Sequence, residues 1–271
     1  MRYQLIRKVD MTEGGITQAV LLFALPIVIG NLLQQLYTTV DTLVLGNHCG
    51  KEALAAIGTS AQPVELVLCF FLGMGTGVSI LVSQSFGQGD TGKLKTLCRS
   101  AVFFVWLCGV PLALLGYLAA PWILRYMQVP DDAFEQAVIY TRIVLFGSLG
   151  NIGYNMNAGI LRGMGDSAAS LRFLLIACVI NILLDLVTVA WLGMGVAGAA
   201  LATTTAVYVS WHASIRYLKR SFPELDFRCF TCKASREELK NIARIGLPIG
   251  LNNSLYSFGH LAMQSLVNSQ G

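Results

Sequence analysis

Asp41 and Asp185 each stand alone inside a long apolar stretch. A carboxylate at depth in a membrane costs several kcal/mol unless it faces a cavity, a partner or a proton, so two of them point to ion-coupled transport. Asn181 and Asp185 are spaced i, i+4 and share a helix face, with Thr188 close to the same stripe. At about 1.5 Å per residue, Asp41 lies ~8 Å below the end of its helix at Gly46, Asp185 ~10 Å below Leu192, and Thr203 ~12 Å below Gly195. Three helices therefore bring polar groups into one layer. Paired acids supported by an amide and a hydroxyl suit the binding of a proton, and a sodium ion would use the same oxygens. The structural alternative is a fixed polar knot; two acids without a basic partner in their layer make a poor static bridge.

The elements that must hold this layer are membrane helices. Of the 271 residues, 55% are hydrophobic and 13% charged, and the charges fall between runs long enough to cross a bilayer core of about 30 Å. These runs predict spans at 18–46, 53–86, 101–124, 137–161, 171–192 and 196–217, with a seventh opening near 245. The expected fold is all-α and polytopic. Residues 1–217 form a six-helix N-terminal lobe, residues 218–244 a basic connecting loop, and residues 245–271 the truncated start of a second lobe.

Sixteen of the 19 basic residues fall in the loop set that contains the N-terminus, while Lys51 and Arg125 fall in the opposite set. Lys and Arg are retained on the cytoplasmic side, so the N-terminus is expected to be cytoplasmic. Arg142, near the outer end of the fourth span, is expected to snorkel or pair with Asp131, Asp132 or Glu135. The first apolar run has the length of a span and lacks a small-residue cleavage site, which argues against a cleaved signal peptide. Cys229 and Cys232 form a lone Cys-Phe-Thr-Cys with no second pair or nearby His, so no zinc site is read there. The other five cysteines, in or beside helices, read as small apolar residues.

Polar and aromatic residues outline a substrate cavity. Gln34, Tyr37 and Asp41 fall on one side of the first helix, and Asn151, Tyr154, Asn155 and Asn157 enrich the inner half of the fourth. Their amide and hydroxyl groups could orient a varied amphiphile, with interhelical hydrogen bonding as the competing role. Glu65 reads as a solvated group near the surface. Gly73, Gly75 and Gly77, and Gly193, Gly195 and Gly198, read as packing and tight-turn positions. Pro26 removes a backbone donor and allows a bend in the first helix.

The segment Gly246-Leu247-Pro248-Ile249 repeats Ala24-Leu25-Pro26-Ile27, and the same alignment sets Asn253 opposite Asn31 and Leu255 opposite Leu33. A six-helix unit followed by the start of another implies two parallel repeats and a protein of about 440 residues.

Leu25-Pro26 through Val40-Asp41-Thr42 and Gly46, the run Ser83-Gln84-Ser85-Phe86-Gly87-Gln88-Gly89-Asp90, Leu161-Arg162-Gly163-Met164-Gly165-Asp166, and Gly195-Val196-Ala197-Gly198-Ala199-Ala200 together resemble the multidrug and toxic compound extrusion family. The resemblance covers essentially the whole chain. It implies a twelve-helix secondary antiporter of two six-helix lobes that exports organic cations or other amphiphiles in exchange for protons or sodium ions. In the DinF-like branch, an Asp in the first helix, an Asn and Asp one turn apart in the fifth, and a Thr in the sixth form a cation site; Asp41, Asn181, Asp185 and Thr203 match it. The resemblance also implies Gln34, Tyr37 and Asn157 as the candidate substrate contacts. No Asp or Glu occurs from Ile245 to Gly271, which favours coupling in the N-terminal lobe over the second-lobe acids of the other bacterial branch.

The expected partners are a small amphiphilic or cationic substrate, the lipid bilayer and a second lobe of the same chain, with no nucleic acid. The expected location is the cell membrane. No cofactor is expected beyond the coupling proton or sodium. No His-Glu zinc pattern, Ser-His pairing or phosphate-binding glycine loop suggests an enzyme. A lipid-linked oligosaccharide flippase is the alternative, for which a more cationic cavity would be expected than Arg142 alone provides. A passive channel is disfavoured.

Overall fold

The computed structural model describes residues 16–127, 129, 131–228, 230 and 234–270, and the side chains among them except at 16, 18, 19, 50–57, 59–63, 66, 132 and 256–270. Helix α1 covers Ile16–Gly87, α2 Thr91–Tyr126, α3 Asp131–Gly163, α4 Ser167–Asp185, α5 Gly195–Ser221 and α6 Arg236–Gln270. A π-helical segment, Leu186–Trp191, prolongs α4, and a short 3₁₀ turn, Pro223–Leu225, follows α5. No strand occurs among the described residues. The chain is an all-α, multi-pass membrane protein. Cys229 and Cys232 lie outside the described residues.

Helical backbone runs through the whole of α1, where the sequence predicts two separate helices. It carries two apolar spans, Val20–Cys49 and Val67–Gly87. Gly30 lies against Leu171 and Leu174, and Gly75 against Asn155, whose neighbour Tyr154 donates to the Ser170 carbonyl at 3.1 Å. Gly30 and Gly75 thus share a layer, although a straight helix would set them ~68 Å apart. The two spans therefore run in opposite directions.

Helix α2 and the Ser167–Trp191 stretch are also long and apolar enough to cross a membrane. Helices α3 and α5 are as long but carry Asn, Ser and Thr at positions buried between neighbours. Large apolar side chains of the first span, such as Leu21, Leu25, Leu32 and Leu36, are exposed, as lipid-facing positions should be. Trp122 and Tyr126 near the end of α2, and Trp191 at the end of the π segment, are exposed aromatics suited to the headgroup level.

One turn device is used twice. Gly89 (φ +70°) precedes Asp90, whose carboxylate accepts from Lys93 N at 2.9 Å and starts α2. Gly165 (φ +82°) precedes Asp166, whose carboxylate accepts from Ala169 N at 2.9 Å and starts α4. Gly supplies the left-handed turn and Asp caps the next helix. The connection into α5 has Gly193 (φ +64°) and Gly195 (φ +58°), the tight turn expected from the sequence.

The main core joins the second span of α1 with α2, α3 and α5 around Met74, Leu97, Ile152, Met156, Ile160 and Leu218. A smaller cluster of Val44 and Leu45 with Val189 and Ala199 fixes the far end of the first span. Helix α6 starts well before the expected 245 and packs on the second span, where Gly73 meets Gly250 and Gly77 meets Gly246. In the α5–α6 connection Asp226 receives Arg99 Nη2 at 2.8 Å and Arg228 Nη2 at 3.4 Å. The Arg99 guanidinium chiefly, with Arg228 behind it, holds this carboxyl below the usual carboxylate range. Arg142 pairs with neither Asp131 nor Glu135, and the Asp132 side chain lies outside those described. The Arg142 Nε donates to the Tyr117 carbonyl at 3.3 Å and its guanidinium lies 4.7 Å from the Tyr117 ring centre, because a neighbouring helix brings an aromatic face within reach.

Candidate functional site

The four residues expected to share a layer do so. The first span of α1 supplies Asp41, α4 supplies Asn181 and Asp185, and α5 supplies Thr203. Asn181 Nδ2 donates to Thr203 Oγ1 at 3.2 Å, tying α4 to α5. Asp185, fully buried, ends α4, and the backbone widens into the π segment immediately after it. Such widened turns are frequent at functional positions. The Asp41 and Asp185 carboxyl groups lie within interaction range of each other.

The oxygen inventory is lopsided. Asp41 Oδ1, Asn181 Oδ1 and both Asp185 oxygens are buried and receive no hydrogen bond from the described residues. Four acceptors converge without a donor, and two ionised carboxylates cannot donate to each other. A buried acceptor without a partner costs about 1–3 kcal/mol, more when charged. A proton shared between the carboxyls, or a cation coordinated by these oxygens and Thr203, would relieve that deficit. Tyr37 and Tyr140 lie in the electrostatic neighbourhood of Asp41. Tyr140 was not singled out by sequence reasoning.

A cleft opens beside this nest. The first span contributes Pro26, Gly30, Gln34 and Tyr37; α3 contributes Asn151, Tyr154, Asn155 and Arg162; α4 and α5 contribute Leu174, Asn181, Thr203 and Ser210 among others. Asn181 and Thr203 line the cleft, whereas Asp41 and Asp185 stand one helical turn beyond Tyr37 and Asn181. The Asn181–Thr203 bond thus separates the cleft from the acceptor nest.

Of the expected substrate contacts, Gln34 and Tyr37 line the cleft and Asn157 does not. Asn157 is buried and its Nδ2 donates to Ser214 Oγ at 2.8 Å, a bond between α3 and α5. Asn155 spends its Nδ2 on Asn151, at 2.7 Å to Oδ1 and 2.9 Å to the carbonyl. Glu65 is exposed. Arg162 reads from the sequence as a loop residue, but α3 continues through Gly163 and puts it in the cleft wall.

A family model described as MatE matches residues 26–187. The chain is 30% identical over 268 residues to the probable multidrug resistance protein YpnP of Bacillus subtilis (strain 168), covering 97% of this chain and 58% of that protein. It is 26% identical over 275 residues to the probable multidrug resistance protein NorM of Thermotoga maritima, covering 98% of this chain and 58% of that protein. Among solved structures it is similar to MATE in complex with MaD3S, with a TM-score of 0.89 and 27% identity over 99% of this chain and 60% of that one. The chain therefore spans about three-fifths of the length of these relatives.

Proposed function

The chain belongs to the MatE family, whose members are transporters and not enzymes, and on that premise we propose that the protein is a secondary active antiporter exporting organic cations or other amphiphiles in exchange for protons or sodium ions. Coupling runs through Asp41 and Asp185, with Asn181 and Thr203 as their polar partners. The observation that carries this reading is the nest of four buried oxygens without a donor at the end of the cleft. With the ion absent, the nest is unsatisfied and negatively charged; with it bound, the charge is offset and the packing of the first span on α4 changes. Substrate in the cleft and ion in the nest share the Asn181–Thr203 pair, which gives each a means to disfavour the other. The N-terminus is cytoplasmic, the location is the cell membrane, and a second six-helix lobe completes the cleft opposite this one.

The test is export of a fluorescent cation from vesicles under imposed proton and sodium gradients. Asp41→Asn and Asp185→Asn should each abolish gradient-driven export while the protein still inserts, because the amide keeps the shape but does not titrate. The double variant should lose no more than either single, since one coupled site is removed once. Gradient-coupled export surviving in both singles refutes the N-lobe assignment. A lipid-linked oligosaccharide flippase is the second reading, favoured by the presence of Arg162 in the cleft. Gradient-dependent export of a water-soluble cation decides against it.

A further inference from the structure

Helix α3 turns one stripe toward the cleft and the nest. Tyr140, Asn151 and Arg162 follow one another at 11-residue intervals, which on a 3.6-residue helix drifts only ~20° per step. Asn151 and Arg162 both line the cleft. Arg162 therefore points inward from the last turn of α3, beside Tyr154 and Ser170.

Among the described residues no carboxylate forms an ion pair with Arg162. The ion pairs among the described residues are those of Asp226 with Arg99 and Arg228. The acid nearest to Arg162 in sequence, Asp166, is committed elsewhere: one oxygen caps α4, and the other receives Tyr217 Oη at 2.6 Å. A guanidinium stays protonated wherever it sits and presents a planar fork of donors that matches a carboxylate. From these placements we infer that Arg162 recognises an anionic substituent, so that the cleft selects amphiphiles carrying a carboxylate beside an apolar or cationic body. This deepens the transport reading and rests on it only in taking the cleft as the substrate's.

The class of ligand follows from charge and distance. One guanidinium offsets one negative charge, which fits a carboxylate and leaves a pyrophosphate head group under-neutralised. Along α4, Ser170 and Asn181 lie ~16 Å apart. Arg162 thus stands at one end of the cleft and the amide and hydroxyl oxygens at the other, with the acceptor nest one turn further. The cleft is polar end to end, positive near Arg162 and electron-rich near Asn181, which is the polarity a zwitterionic amphiphile requires. The competing role is structural, since an arginine in the last turn of a helix also interacts favourably with that helix's own dipole.

Tetramethylrhodamine bearing a free carboxylate and its methyl ester share a chromophore and differ only in that group. Fluorescence anisotropy on detergent-purified protein, expressed from the complete native reading frame, gives both affinities. The wild type should bind the acid at least about tenfold more tightly than the ester, a difference of about 1.4 kcal/mol. Arg162→Gln should bring the ratio to near unity, and Arg162→Lys should keep part of it. A wild-type ratio near unity, a ratio that survives Arg162→Gln, or a parallel loss of both probes in Arg162→Gln and Arg162→Lys overturns the assignment in favour of the helix-end role. Because binding is read without a gradient, export that ignores both gradients would refute the coupling mechanism while leaving this result standing.

Discussion

The contact between the second span of α1 and α6 gives a stability prediction that the structure orders residue by residue. A Cβ on Gly73 would lie 2.4 Å from both Cα and N of Gly250, and one on Gly77 would lie 2.7 Å from Gly246 Cα. These obstacles are backbone atoms, so no rotamer change relieves them, and carbon atoms are at their best separation near 3.5–4.0 Å. The two helices would have to part by about 1 Å. Overpacking of that kind costs about 1–3 kcal/mol. For a chain of this size each kcal/mol lowers Tm by about 2–4 °C, so Gly73→Ala should melt roughly 2–12 °C below wild type. Gly250→Ala would meet the Phe70 carbonyl at 2.7 Å and should be similarly damaging. Gly246→Ala is expected to be milder, because the atom it would meet at 2.6 Å is Met74 Sδ, on a flexible side chain. Gly87→Ala, with nothing within 4 Å, is the control. The pair Gly73→Ala and Gly77→Ala should cost less than the sum of the singles, since the first separation makes room for the second. Tryptophan fluorescence on heating the purified protein supplies the measurement. A wild-type Tm for Gly73→Ala, or a larger loss for Gly87→Ala than for Gly73→Ala, would refute the backbone-contact argument.

Two further outcomes are expected. Asn157→Leu removes one interhelical bond while Ser214 Oγ keeps its bond to the Trp211 carbonyl at 2.6 Å; stability should fall by about 1 kcal/mol and substrate affinity should hold, whereas Gln34→Ala should weaken binding at unchanged Tm. Asp226, whose carboxyl is held low by Arg99, contributes stability that is present above the unfolded carboxylate range near pH 3.9 and is lost as pH falls through its lower folded value. Limited proteolysis of the α5–α6 connection should therefore quicken in Asp226→Asn at pH 7, with the substituted side chain still tolerating the left-handed backbone at φ 45°, and the difference from wild type should close toward pH 3. Equal cleavage rates at pH 7 would show that the ion pair does not order this turn.

The layer of Asp41, Asn181, Asp185 and Thr203 was legible because helix rise is fixed: counting residues from each helix end gives depth without knowledge of packing. Depth says nothing about direction around the axis, and that is where the sequence reading of α3 stopped short. Asn151, Tyr154 and Asn155 stand at i, i+3 and i+4 and share a face, while Asn157 lies ~200° round from Asn155 and so turns toward α5. The family resemblance pointed to Asn157 as a substrate contact, and this angular count shows why it does not line the cleft. The same angular count, carried over 11-residue steps, would have put Tyr140 and Arg162 on the Asn151 stripe. Arg162 was missed for a further reason, since ending the helix at 161 moved it from helix to loop by a single position. Contacts between helices distant in sequence, such as Gly73 with Gly250, had no such signal: glycine marks a place where backbones can meet without naming the partner. What α3 adds to the site is therefore a direction. One stripe carries Tyr140 beside the acceptor nest, Asn151 in the cleft wall and Arg162 at the far end, so a single helix spans from the nest to the Arg162 end of the cleft. A rotation of α3 that withdrew Arg162 from the cleft would also move Tyr140 away from Asp41, because both sit on one helix.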